Sequence, residues 1–200
     1  MPATPSSEIF DRLHDSHRSA IAAYLRRLTR NEALAEELTQ ETFLHVSQGL
    51  GEFRGESSAE TWVYRIATNV YLDHCRRQAS RGREAQAGAL PLEELPDSRV
   101  PAAPLPLLPD RLLEDSEMGS CIREFVDGLP PDSRAVIVLH DLQGLGNAEI
   151  ASVLECSIDS VKIRLHRARQ KLRVLLTGHC DFDRDSNDVL RCDRKQPAGD

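Results

Sequence analysis

Residues Gly144–Leu176, GLGNAEIASVLECSIDSVKIRLHRARQKLRVLL, decide how this chain is read. Ile158, Val161, Leu165, Ala168, Leu172 and Leu175 recur at steps of three and four, so they keep one apolar stripe along one side of a helix. Between Lys162 and Arg173 the charged residues are Lys162, Arg164, Arg167, Arg169, Lys171 and Arg173, with no Asp or Glu among them. A solvated helix face usually mixes both signs; a face of one sign suits phosphates. Upstream, Ile150, Ala151 and Leu154 predict a shorter helix packed on that stripe. Asn147 and Ser157 are the expected N-caps, because their side-chain oxygens can accept the orphan N–H groups of a helix start. Short helix, turn and long basic helix together predict a helix-turn-helix of the kind that reads DNA.

The net charge of −7 looks wrong for a phosphate-binding chain. Distribution resolves the conflict. Asn31–Glu41 carries Glu32, Glu36, Glu37 and Glu41 with no Lys or Arg, so acidic and basic surfaces are separated along the chain and imply separate partners. No apolar run approaches the roughly eighteen residues needed to span a bilayer, and MPATPSSEIF has no apolar signal core, so a cytoplasmic protein with no membrane insertion is expected. Cys75, Cys121, Cys156, Cys180 and Cys192 are odd in number and unevenly spaced, which argues against a disulfide scaffold. The chain has no HExxH, no nucleophile elbow and no phosphate-cradling Gly-rich loop, so an enzyme is not expected and no cofactor is required.

Outward from the basic helix, periodicity predicts an all-α chain of two small domains. Ile9–Leu28 reads as one helix through Ile9, Leu13, Ile21, Leu25 and Leu28; Asn31–Leu50 as a second through Leu34, Leu38, Phe43, Leu44 and Val46; Ser58–Arg77 as a third. Trp62 is read as core. From Ser80 to Pro109 the pattern collapses, with six of the eleven prolines at 91, 96, 101, 104, 106 and 109, which predicts an extended linker. Helical periodicity resumes near Leu113 and breaks at Pro130 and Pro131. The expected boundaries are a first domain over 6–79, a linker over 80–112, a second domain over 113–177 and a Cys-containing tail over 178–200.

Three segments in this order resemble the extracytoplasmic-function (ECF, group IV) sigma factors of bacterial RNA polymerase. Glu36–Val46 (EELTQETFLHV) resembles their polymerase-binding helix, Phe53–Arg77 (FRGESSAETWVYRIATNVYLDHCRR) their promoter-melting segment, and Leu129–Leu176 their terminal helix-turn-helix. The resemblance implies a transcription initiation factor, active in stress responses, that gives core RNA polymerase its promoter DNA specificity. It implies that Glu36, Glu37, Leu38, Gln40, Glu41 and Phe43 bind core polymerase. Phe53, Arg54, Ser57, Asn69, Asp73, Arg76 and Arg77 would serve the minus-ten element, Asn69 reading a flipped base. His140, Ser160, Lys162, Ile163, Arg164, His166 and Arg167 would serve the minus-thirty-five element. Ile163 stands where a small polar residue is common, and Asp159–Ser160 where a Gly-Thr pair is common, which implies an unusual promoter preference. An anti-sigma factor is a further partner implied by resemblance. The rival reading is a stand-alone helix-turn-helix regulator with a metal-sensing tail.

The tail, HCDFDRDSNDVLRCDRK over 179–195, lies beyond the resemblance. Asp181, Asp183 and Asp185 imitate a calcium loop, but Ser186 and Cys192 fill the positions that need Gly and Glu. Ser186–Asn187–Asp188 predicts a hairpin turn. His179, Cys180 and Cys192 are candidate ligands for zinc or copper, or Cys180 and Cys192 a redox pair, set against a loosely attached tail.

Overall fold

The computed structural model describes residues 5–85, 124–184 and 190–195. Most of the proline-rich linker, the helical periodicity over 113–123 and Cys121 lie outside the described residues. The first body consists of α1 (Pro5–Thr29), α2 (Glu32–Gly49), a 3-10 turn (Leu50–Glu52) and α3 (Ala59–Ala85). Asn31 caps α2 as a side-chain acceptor for Leu34 N–H at 3.0 Å. Ser58 does the same for α3, accepting from Thr61 N–H at 3.0 Å. Helix α3 runs on to Ala85, past the position where the linker is expected to begin.

Ile21, Leu25 and Leu28 of α1 pack against Leu38, Phe43 and Val46 of α2 and Val63, Ala67 and Val70 of α3, all buried. Tyr24 lies at the centre. Thr68 Oγ1 donates to the Tyr64 carbonyl at 2.7 Å, which uses its one proton, so the Tyr24 hydroxyl donates to Thr68 at 2.9 Å. Burial pushes the Tyr24, Tyr64 and Tyr71 phenols above their ordinary range. Two positions differ from expectation on α1 and α2: Ile9 and Leu44 are exposed, at 42% and 56%. On α2 the buried stripe instead takes in Thr39 and Thr42, whose hydroxyls donate back to the Ala35 and Leu38 carbonyls at 2.7 and 2.6 Å. Trp62 is half-buried against the core, as expected, with the Phe53 ring 4.9 Å away.

The second body begins with a helical turn at 124–127 and continues through α4 (Pro131–Ile137), a π-helical turn (Val138–Leu142), α5 (Asn147–Val153) and α6 (Ile158–His179). The π turn closes through Gln143 N–H to the Val138 carbonyl at 2.9 Å. Gly144 leaves it at φ 72°, a left-handed conformation that glycine adopts without strain. Glu155, between α5 and α6, also takes a left-handed φ of 50°. The tail pairs β1 (Cys180–Arg184) antiparallel with β2 (Leu190–Arg194), while the turn expected at Ser186–Asn187–Asp188 lies outside the described residues.

The bodies pack together, α3 against α5, and their buried residues form one continuous cluster. Arginines cross the seam. Arg65 Nε and Nη2 donate to the Ser152 carbonyl and hydroxyl, each at 3.0 Å, and its Nη1 lies 3.4 Å from Glu155. Arg27 donates to the Leu142 carbonyl at 2.7 Å, and Arg30 to Asp127 at 2.6 Å. From the other side, Arg134 donates to the Leu28 carbonyl at 2.8 Å and also to the Asp127 carbonyl.

Candidate nucleic-acid interface

Helix α6 sorts its residues by phase. Val161, Leu165, Ala168, Leu172 and Leu176 are buried against α4 and α5, while Lys162, Ile163, Arg164, His166 and Arg167 are exposed. Ser157 caps the helix as expected, accepting from Ser160 N–H at 3.1 Å. Lys162 lies 3.1 Å from Asp159, one turn earlier. Among the described residues no hydrogen bond or ion pair engages Arg164, His166 or Arg167. The expected reading face is thus preformed, cationic and open.

Two details of that reading are corrected. Asn147 is the first residue of α5 rather than its cap; Gly146 is the cap, and its N–H donates to Glu149 Oε2 at 2.8 Å. Asn147 Oδ1 is instead buried with no hydrogen-bond partner among the described residues. Arg169 does not join the open face. Its guanidinium turns back onto Asp141, with Nε 3.3 Å from Oδ2, and Nη2 lies 3.1 Å from His140 Nδ1. His140 Nδ1 is also 2.7 Å from Asp141 Oδ1, so the ring is fixed through one nitrogen and Nε2 is left without a partner among the described residues.

On the first body Asn69, Asp73 and Arg76 are exposed and spaced four and three apart, which places them on one stripe of α3. Arg54 is exposed and Ser57 half-buried in the loop that enters α3, ahead of Asn69 by about 15 Å of helix axis at about 1.5 Å per residue. Phe53 is half-buried on Trp62. Asp73 and Arg76 pair with each other at 2.5 Å. Arg77 lies 3.3 Å from Glu41, and Arg18 pairs with Glu36.

The candidate polymerase-binding residues split. Glu37 and Gln40 are exposed and Glu36 and Glu41 half-buried, but Leu38 and Phe43 sit in the core, at 0% and 5% exposure. Those two shape α2 from within and present nothing to a partner. The apolar group on the same face as Glu37, Gln40 and Glu41 is Leu44. Hydropathy alone assigned it to the core; its helical phase, a turn beyond Gln40 and Glu41, is the signal that finds it.

In the tail, Cys180 is 2% exposed and packs into the second body's core. His179 Nδ1 lies 2.8 Å from the Leu175 carbonyl, and its ring faces Phe125 at 5.3 Å. Arg194 donates to Glu124 at 3.0 Å and Lys195 to the Thr177 carbonyl at 2.8 Å, so the hairpin is attached rather than loose. Its register places Arg194 opposite Cys180 and Phe182 opposite Cys192. Cys180 and Cys192 are diagonal neighbours in such a ladder, about 7–8 Å apart, beyond the about 4.4–6.8 Å a disulfide spans. No cluster of three or more His, Cys, Asp or Glu among the described residues could hold a metal ion; the Cys192 side chain lies outside them.

The arrangement defines a two-bodied, mostly helical protein with a helix-turn-helix in the second body and a two-stranded tail. Comparison with known proteins narrows the class. The model of Sigma-70 region 2 matches residues 13–81, and that of Sigma-70 region 4 matches residues 120–172. The ECF RNA polymerase sigma factor SigE of Mycolicibacterium smegmatis is 36% identical over 172 residues, a match spanning 85% of this chain and 62% of that protein. The ECF RNA polymerase sigma-E factor of Escherichia coli K12 is 30% identical over 136 residues, spanning 68% of this chain and 70% of that protein. Among solved structures, the sigma factor RpoE in complex with the anti-sigma factor NepR from Bartonella quintana shares the fold, with a TM-score of 0.60 at 20% identity over 85% of this chain and 98% of that one. CnrH, solved with the cytosolic domain of CnrY, gives a TM-score of 0.55 at 25% identity over 84% of this chain and 88% of that one. The chain belongs to the ECF RNA polymerase sigma factors, a family of transcription initiation factors rather than enzymes. No helix among the described residues is long and apolar enough to cross a membrane.

Proposed function

We propose that this chain docks on core RNA polymerase in the cytoplasm and directs it to promoters with two dissimilar elements. One observation carries the reading: Lys162, Ile163, Arg164, His166 and Arg167 stand exposed together, opposite the buried stripe of α6. That face, with Ser160 at its start and His140 beside it, reads the minus-thirty-five duplex through the major groove. The stripe Asn69, Asp73 and Arg76, with Arg77 and the Phe53–Ser57 loop, takes the minus-ten strand as it opens, Asn69 meeting an unstacked base and the arginines phosphates. Helix α2 meets polymerase through Glu36, Glu37, Gln40, Glu41 and Leu44. An anti-sigma factor is a further expected partner, in keeping with the Bartonella quintana RpoE structure, which is a complex with the anti-sigma factor NepR. Transcription by purified core polymerase with this chain, on a random promoter library, tests the proposal. Enrichment of two spaced, unlike motifs supports it; no enrichment with core, or tight binding of the chain alone to a palindrome, overturns it in favour of a stand-alone regulator.

For the tail, a structural role draws more support than a sensing one. Burial of Cys180, the register, and the bonds to Glu124 and Thr177 fasten the end of α6 to the second body. A zinc, copper or redox role for His179, Cys180 and Cys192 predicts that replacing both cysteines by Ser changes the response to metal or oxidant. The structural role predicts a lower melting temperature and the same response.

A further inference from the structure

Ile163 is the one apolar side chain among the exposed residues from Lys162 to Arg167, and it is 52% exposed. At about 100° per residue it lies about 160–180° around α6 from Val161, Leu165 and Leu172, so it stands at the centre of the outward face, the point that enters a groove deepest. Lys162, His166 and Arg167 surround it, and each can serve an acceptor on a base or phosphate. Ile163 can serve none. Val174 is exposed on the same side at 64%, but about 16 Å further along the axis, past the turns of a recognition helix that meet base edges.

The major groove presents hydrogen-bonding groups at every base pair and one apolar group, the 5-methyl of thymine. A β-branched side chain holds a narrow set of rotamers, so packing it against a methyl costs little ordering. We infer that Ile163 is a specificity-determining residue that packs on the 5-methyl group of a thymine in the minus-thirty-five element. Arg167 lies one turn further along the same side, about 6 Å, so the thymine falls within about two base steps of the group that Arg167 contacts.

The inference rests on the reading of α6 proposed above, and one set of templates separates the two. Each thymine of the selected minus-thirty-five element is replaced in turn by deoxyuridine, which removes the methyl and keeps every hydrogen-bonding group. Complex formation by core polymerase with the full chain is then measured. One position should lose about fourfold, the worth of one methyl removed from water. Ile163→Ala should bind the thymine template about fourfold more weakly and no longer distinguish thymine from deoxyuridine at that position. A flat deoxyuridine scan, unchanged discrimination by Ile163→Ala, or a selected element without thymine overturns the inference. Lys162→Ala and Arg167→Ala report on the underlying reading: if both leave complex formation unchanged, α6 is not the reading helix, whereas weakened binding with a flat scan removes the role of Ile163 alone.

Discussion

The two bodies hold their charges differently. In the second, Arg164, His166 and Arg167 project from α6 with no partner among the described residues, while in the first Glu36 is taken by Arg18, Glu41 by Arg77 and Asp73 by Arg76. A face of unpaired cations is ready for a polyanion and loses only counterions when it binds. A face of mutual pairs must exchange partners, and exposed pairs are worth about 0–1 kcal/mol each, so the exchange is cheap but not free. Under the proposed function, that difference suits the second body to first contact with duplex and the first to contacts that form once a larger partner is in place.

Removing a cation from the open face should have the largest effect. Arg167→Ala should weaken the promoter complex about 10- to 100-fold, equivalent to about 1–3 kcal/mol, with an unchanged melting temperature. A loss under about twofold would show that the open face is not the reading face. On α2, Leu44→Asp should reduce core-polymerase affinity about tenfold in a titration of labelled protein, again without loss of fold, because the side chain is already in water. Ser157→Ala removes the α6 cap and should cost about 1 kcal/mol of stability in chemical denaturation, confined to the second body.

Alkali should divide the bodies. All three tyrosines of the chain, Tyr24, Tyr64 and Tyr71, lie in the first, and burial raises each phenol above its unfolded value. A folded state that holds a proton more tightly than the unfolded one keeps that stability below the unfolded value of about 10 and loses it as pH climbs above. The single tryptophan, Trp62, reports on the first body, so its emission midpoint in denaturant should fall between pH 9 and pH 11, and Tyr24→Phe should lessen that fall while costing about 1 kcal/mol at neutral pH. An equal fall in Tyr24→Phe would contradict the assignment to Tyr24. The smallest effect belongs to the paired surface: Glu36→Gln should change stability by less than about 1 kcal/mol, and raised salt should erase the difference.

Much of this was legible because local rules fix it. Ser157 caps α6, the α6 stripe faces inward from Val161 onward although Ile158 at its start is 45% exposed, and the tail forms two paired strands. What escaped the sequence depends on neighbours distant along the chain. Leu44 reads as core by hydropathy, yet α1 and α3 bury a stripe of α2 that runs through Thr39 and Thr42, polar residues made acceptable by their own back-bonds. Arg169 reads as one more cation in a basic run; only Asp141, on the π turn, explains why it faces inward. Nor does any periodicity announce that Gly146 and Glu149 would cap α5 in place of Asn147, since a backbone N–H bonded to a carboxylate leaves no hydropathic trace. Which residues share a face was legible and which side chains stand open on it was less so, because a face follows from spacing while orientation follows from packing.

Beside the shared apolar cluster, three arginines cross the seam between the bodies to main-chain oxygens: Arg27 to Leu142, Arg65 to Ser152, Arg134 to Leu28. Peptide carbonyls neither titrate nor carry net charge, and guanidinium stays protonated throughout the physiological range. Those three bonds are deaf to acidity and only faintly responsive to electrolyte, whereas the Arg30–Asp127 and Arg65–Glu155 pairs across the same seam answer to both. A stronger acceptor offered to the same arginines competes for those bonds, and the bidentate oxygens of a carboxylate or a phosphate are the groups best shaped to make that offer.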